Sequence, residues 1–232
     1  MKGLRFLVGL ALLPLCAAAA QTVVGLLRTL APASSAVVPA AAWALGGGFA
    51  LWLILYFTLP APMRTYVLAH ELTHALWGSA MGARVLNLTV SKDGGSVTLT
   101  KSNFLVTLAP YFFPLYTALV IAGYYSLSIF YDLRRYEPLW LGLVGFTWAF
   151  HFTFTCSTLL ERQSDIRECG HLFSYAVIVL MNVLGIGLWV VLLSSATLEQ
   201  MVALLGERAR GDYRWAWHLA ADGLRRLAAG VQ

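Results

Sequence analysis

The sequence predicts an all-α polytopic membrane protein of about six membrane-embedded helices, with one β-hairpin directly after a metal-binding helix. Three observations predict it. Of 232 residues, 59% are hydrophobic and only 12% charged, with a mean hydropathy of +0.71, too little polar surface to cover a water-soluble globule. The apolar residues fall in several runs near bilayer length, separated by prolines, glycines or charges. One stretch, Ala69-His70-Glu71-Leu72-Thr73-His74-Ala75, sets two histidines four residues apart among apolar neighbours.

On a helix, His70 and His74 project from one face a turn apart, so both imidazoles can bind one ion. Zinc suits the pair, because a catalytic zinc site takes one further protein ligand and leaves a fourth position open. Glu71 is then placed to accept a proton from an attacking water and return it to a leaving amine, which is peptide hydrolysis chemistry. Paired helical histidines also occur as hydrogen-bonded core residues. Here the flanks Tyr66, Val67, Leu68, Ala69, Ala75, Leu76 and Trp77 are apolar, so three polar groups need partners and a metal ion supplies one.

The net charge of +5 sits mostly between and after apolar runs. Membrane topology and anionic lipid account for it, and no nucleic-acid partner is expected. Cys16, Cys156 and Cys169 are odd in number and scattered, which indicates neither a disulfide framework nor a thiolate zinc site.

In chain order, Met1 to about Leu30 opens with Lys2 and Arg5. Ala17 to Ala20 would suit signal-peptide cleavage, but apolar character resumes through Val23 to Leu27 and predicts an uncleaved first span. Pro32, Ser34 and Ser35 mark a loop, so residues 1–35 form an N-terminal span and loop. A charge-free second span runs from about Val37 to Leu59, where Gly46, Gly47 and Gly48 permit close helix approach; Pro60 and Pro62 end it. The metal helix, about Met63 to Met81, is shorter than an ordinary span, and Gly82 lies just past its end.

Strand alternation follows. A two-residue Asp93-Gly94 turn would pair Val90 with Val97 and Leu88 with Leu99, with the apolar side chains on one face. Such a hairpin either offers an edge to an extended substrate or merely caps the site. Phe104 to Phe130 is a third long span in which Pro110 and Pro114 predict a break or kink. The loop Tyr131 to Pro138, with Arg134 and Arg135, is expected on the cytoplasmic side.

From Leu139 onward, Thr147, His151, Thr155 and Thr158 share a helical face that should look into the bundle. The stripe predicts one helix continuing through Arg162 to Asp165. His151 is expected to pack or support rather than ligate. A last span, Leu172 to about Leu193, completes a membrane-embedded core of residues 36–195. Residues 196–232 mix Tyr213, Trp215 and Trp217 with Arg208, Arg210, Arg214, Arg225 and Arg226 and read as a basic amphipathic helix on the bilayer surface.

A zinc held by two histidines wants one more protein ligand, and a carboxylate is the usual one. Asp132, Glu137, Glu161, Asp165 and Glu168 are available. Asp165 is favoured because it alone continues the polar stripe; Glu161 and Glu168 pair more simply with Arg162 and Arg167.

With the His70-Glu71-x-x-His74 helix, the hairpin after it, the proline-containing span near Ala109-Pro110 and a downstream aspartate before a glycine, the chain resembles the site-2 protease family of intramembrane zinc metalloproteases. The likeness is to the small bacterial-type branch and covers roughly residues 60–193. It implies a Zn2+ ion held by His70, His74 and Asp165, Glu71 as general base, and cleavage of a membrane-spanning or membrane-anchored protein substrate by a multi-pass protein of the bacterial inner membrane. The chain departs from the family in the aspartate's setting, Gln163 to Gly170, which lacks the usual Asn-Pro-rich sequence. Simple alternation of spans would also put Asp165 across the membrane from His70, so a kinked or re-entrant metal helix is required. Two other classes share the first motif: a membrane zinc peptidase of the kind that trims prenylated proteins, with a glutamate as third ligand, and a non-catalytic membrane scaffold retaining a metal site.

Overall fold

The computed structural model describes residues 2–29, 40–92 and 94–229, and these are mostly helical. Pro32, Ser34 and Ser35 of the first loop, and Asp93 of the hairpin turn, lie outside the described residues. The chain divides into two compact units, Met1–Ala36 with Cys169–Gln232, and Val37–Glu168.

The first unit contains α1 (Lys2–Thr29), α8 (His171–Leu193) and α9 (Leu198–Ala229). The last predicted span therefore groups with the termini and not with Val37–Glu168. Gly9 lets α1 and α8 touch: a Cβ there would lie 2.8 Å from the backbone nitrogen of Phe173. The predicted amphipathic tail is helical, and one face of it packs along α1. Gln21 donates to Asp212 at 3.0 Å and Tyr213 to the Ala11 carbonyl at 2.8 Å, while Met201 is buried with Leu26 and Val190.

The second unit is built on α2 (Ala40–Thr58) and α6 (Glu137–Leu159). The two helices run parallel: Gly48 meets the Gly142 carbonyl and Gly145 the Leu45 carbonyl near their starts, and further along both, Trp52 donates to Thr153 at 2.9 Å and Tyr56 lies 2.6 Å from Ser157. Of the three predicted close-approach glycines only Gly48 serves; Gly46 and Gly47 have open space around them. Trp52, Tyr66, Val67, Ala149, Phe150 and Phe154 form the buried core.

The helix with the two histidines, α3 (Met63–Ala80), runs back along α6. Tyr66, near its start, stacks on Phe154 at 4.7 Å and accepts a hydrogen bond from Thr158 at 2.7 Å; further on, His70 shares the wall of a small cavity with Phe150 and His151. α3 ends with Gly82 at φ +75°, a conformation that suits glycine. The predicted break also appears: α4 (Phe104–Leu108) and a 3-10 turn (Ala109–Tyr111) bend by 83° into α5 (Leu115–Ser128). α5 then runs antiparallel to α6, with Tyr116 on Phe150, Thr117 bonded to Thr147 at 3.1 Å, and Tyr124 stacked on Trp140 at 4.4 Å. So α3 lines one half of α6 and α5 the other, in the same direction. Residues 63–128 make one pass along α6 where simple alternation expects two.

Strands β1 (Val85–Val90) and β2 (Gly95–Leu99) form the predicted antiparallel hairpin, in a register two residues away from the expected one. Leu88 faces Val97 and Val90 faces Gly95, with an irregularity between Val85 and Asn87. The turn is four residues long, closed by Ser91 N–H on the Gly94 carbonyl at 2.9 Å. Gly95 pairs with Val90 and lies flat on α3, where a Cβ would stand 2.6 Å from Glu71 Cγ and 2.7 Å from Val67 Cγ1. A shift of two keeps the apolar face apolar.

Four helices among the described residues are long and apolar enough to cross a membrane: Lys2–Arg28, Ala40–Thr58, Arg134–Leu159 and His171–Leu192. The bent pair α4–α5 adds a fifth if counted as one span. α3 is not among them.

Candidate metal centre

The site assembles at the C-terminal end of α6. His70 and His74 sit one turn apart on α3, their ring centroids 4.9 Å from one another. The predicted continuous helix to Asp165 is not observed. α6 stops at Leu159, Leu160 and Glu161 tighten into i→i+3 bonds on Ser157 and Thr158, and the short helix α7 (Ser164–Cys169) carries Asp165 back toward α3. No glycine or proline marks this stop. The helix ends where its residues leave apolar cover: Leu160 is 90% exposed, and Glu161 and Arg162 are exposed beside it.

Asp165 Oδ2 lies 3.4 Å from His70 Nε2 and 3.5 Å from His74 Nε2, and the three ligand atoms fall within 4.8 Å of one another. A tetrahedral zinc with bonds of about 2.0–2.1 Å has edges of roughly 3.3–3.4 Å, which the two carboxylate–imidazole separations match, so this donor set suits the ion. The far side of each imidazole is also engaged. His74 Nδ1 lies 2.8 Å from the Val106 carbonyl, which requires a proton there and leaves Nε2 as the ligand atom. Val106 is held by the α4 cap, where Asn103 Oδ1 accepts from the backbone N–H groups of Leu105 and Val106. His70 Nδ1 is 3.5 Å from the Tyr66 hydroxyl. Tyr111, fully buried, donates to Asp165 Oδ2 at 3.0 Å.

Glu71 is buried on the same helix, pressed against Gly95 of β2. For Asp165 burial acts upward, but the adjoining His70 and His74 imidazoles together outweigh it and hold the carboxyl well below the ordinary range. All four residues open on a cleft of about 780 Å³ bounded by the β2 backbone from Gly95 to Leu99 on one side and by Thr158, Gln163 and Ser164 on another.

The structure thus gathers His70, Glu71, His74 and Asp165 in one place. Glu161 and Glu168 line the mouth of the same cleft outside the three-residue cluster, and Asp132 pairs with Arg134 at 3.1 Å on an exposed loop. His151 is buried beside His70 and is no part of the cluster; its Nε2, like Thr155 Oγ1, has no hydrogen-bond partner among the described residues. Sequence reasoning missed Tyr66, Asn103, the Val106 carbonyl and Tyr111. The one available signal was a pair of tyrosines with hydroxyls to satisfy inside otherwise apolar segments.

No protein-family model, no curated protein and no solved structure matches the chain.

Proposed function

We propose that the protein is a zinc-dependent intramembrane endopeptidase, multi-pass in a bacterial inner membrane, acting on membrane-spanning or membrane-anchored proteins. The observation that carries the reading is the convergence of His70, His74 and Asp165, with the carboxylate 3.4 and 3.5 Å from the two imidazole nitrogens, close to the edges of a zinc tetrahedron, and the Glu71 carboxylate beside them in an open cleft. Zinc bound by these three residues supplies a Lewis acid for carbonyl polarisation and water activation. Glu71 is the general base and then the acid toward the leaving amine, from its place on the cleft wall beside the two histidines. The β2 edge beside the cleft offers backbone groups to a substrate in extended form.

The test begins with elemental analysis of detergent-purified protein. Wild type and Glu71→Gln should hold about one zinc per chain, and His74→Ala and Asp165→Ala should lose it. Membranes from cells expressing wild type and Glu71→Gln are then compared for new protein termini. Termini that appear only with wild type support the peptidase. Zinc without Glu71-dependent cleavage would leave a metal-holding scaffold as the better account.

A further inference from the structure

We propose that Tyr111 is a positioning residue of this centre, holding Asp165 Oδ2 over the two histidine nitrogens and thereby setting the affinity for the metal. The inference rests on the zinc reading above and deepens it.

Asp165 stands on a six-residue helix after an exposed turn, a poor platform for a ligand atom that must be held within a fraction of an ångström. Tyr111 supplies the missing constraint. Its hydroxyl donates to Oδ2, the same oxygen that faces both histidines. A carboxylate oxygen has two lone pairs, so it can accept from the phenol and bind a cation at once. The Tyr111 ring also stands edge-on to His70, with centroids 5.3 Å apart at 87°, so one side chain touches two of the three ligands.

Tyr111 is itself rigid. It has no exposed surface and sits in the 3-10 turn directly after Pro110, where the bend between α4 and α5 turns the backbone toward α3. An unbroken helix from residue 104 to 128 would have no such inward corner. The break in the span therefore has a use at the site: it brings in the phenol through Tyr111 and the carbonyl that orients His74 through Val106.

A purely structural reading also exists, in which Asp165 merely satisfies a buried phenol. Metal affinity separates the two. Zinc binding by purified Tyr111→Phe is measured against a chromophoric chelator, beside wild type, Asp165→Ala and the double variant. Loss of the phenol should weaken zinc by about ten- to hundredfold, the range for groups that support a ligand, and should add nothing once Asp165 is gone. Thermal unfolding of the metal-free proteins, with wild type and Tyr111→Phe melting alike, shows that the fold is not the cause. Affinity within about twofold of wild type, or an equal loss in the Asp165→Ala background, overturns the positioning role while the zinc reading stands. A wild type that takes up no zinc overturns the zinc reading, and this inference with it.

Discussion

Within the triplet Gly46-Gly47-Gly48, an alanine should have opposite effects at adjacent positions. A Cβ on Gly48 would lie 2.6 Å from the Gly142 carbonyl carbon and closer still to its oxygen. These are backbone atoms, and no rotamer change relieves the contact. Restoring an ordinary separation of about 3.4 Å requires α2 and α6 to part by roughly an ångström or more, opening the pairings of Trp52 with Thr153 and Tyr56 with Ser157. Overpacking of this kind costs about 1–3 kcal/mol. At Gly46 and Gly47 nothing lies within 4 Å, and alanine there should stabilise the helix by about 0.5–1 kcal/mol. Gly48→Ala and Gly46→Ala should thus differ by about 1.5–4 kcal/mol, the sum of those ranges. Thermal unfolding in one detergent, with wild type between the two variants, is the assay. Gly48→Ala as stable as Gly46→Ala would show that α2 and α6 do not pack through this face.

Four further outcomes are expected. Zinc occupancy should fall as pH drops, because protons compete with the ion for its ligand atoms, whereas the Asp165 carboxylate, held below its ordinary range, stays ionised in mild acid; a titration of bound zinc against pH checks the direction. Added zinc should raise the unfolding temperature of wild type, by about 2.7 kcal/mol of stability at a hundredfold excess over Kd, and leave His74→Ala unmoved. Gly95→Ala should keep its zinc, since the crowding falls on Glu71 Cγ, Val67 and the Thr89 carbonyl and on no ligand, but should lose most Glu71-dependent cleavage, because a displacement near 1 Å at a reacting group costs about a hundredfold. Asn103→Ala should lower stability by about 0.5–2 kcal/mol through the lost cap and also weaken zinc, because the Val106 carbonyl that orients His74 hangs from that cap.

How much of this was legible depended on whether a residue acts through its neighbours in sequence. His70, Glu71 and His74 are written in one helical turn, and the break at Pro110 and Pro114 in one pair of prolines; both were readable, and both appear. Thr147 and Thr158 were placed on an inward face from spacing alone, and they bond to Thr117 and Tyr66. What spacing could not provide was the end of α6. Between Phe146 and Ile166 there is no glycine or proline, so local rules carry the helix on to Asp165. The actual stop at Leu159 comes from the loss of packing partners, which is tertiary information. The hairpin register failed for a related reason: Asp93-Gly94 is a sound two-residue turn by local chemistry, but Gly95 is required flat against Glu71, and that contact lies 24 positions away in the chain.

The topological difficulty and the missed residues have one cause. Counting 63–81 and 104–130 as two crossings separates Asp165 from His70; counting them as one pass along α6 puts both at the end of α6 where Thr158 bonds Tyr66. The single pass is possible only because α3 is short and the α4–α5 segment turns by 83°. That same turn leaves backbone and side-chain polar groups inside the bundle, where unpaired they would be costly. Val106 and Tyr111 find their partners on His74 and Asp165. The break and the candidate metal centre thus satisfy each other's polar groups. A substitution that straightens the segment, such as Pro110→Ala with Pro114→Ala, should therefore lower zinc affinity more than it lowers the stability of the metal-free protein. Equal losses in the two would mean that the bend serves packing alone.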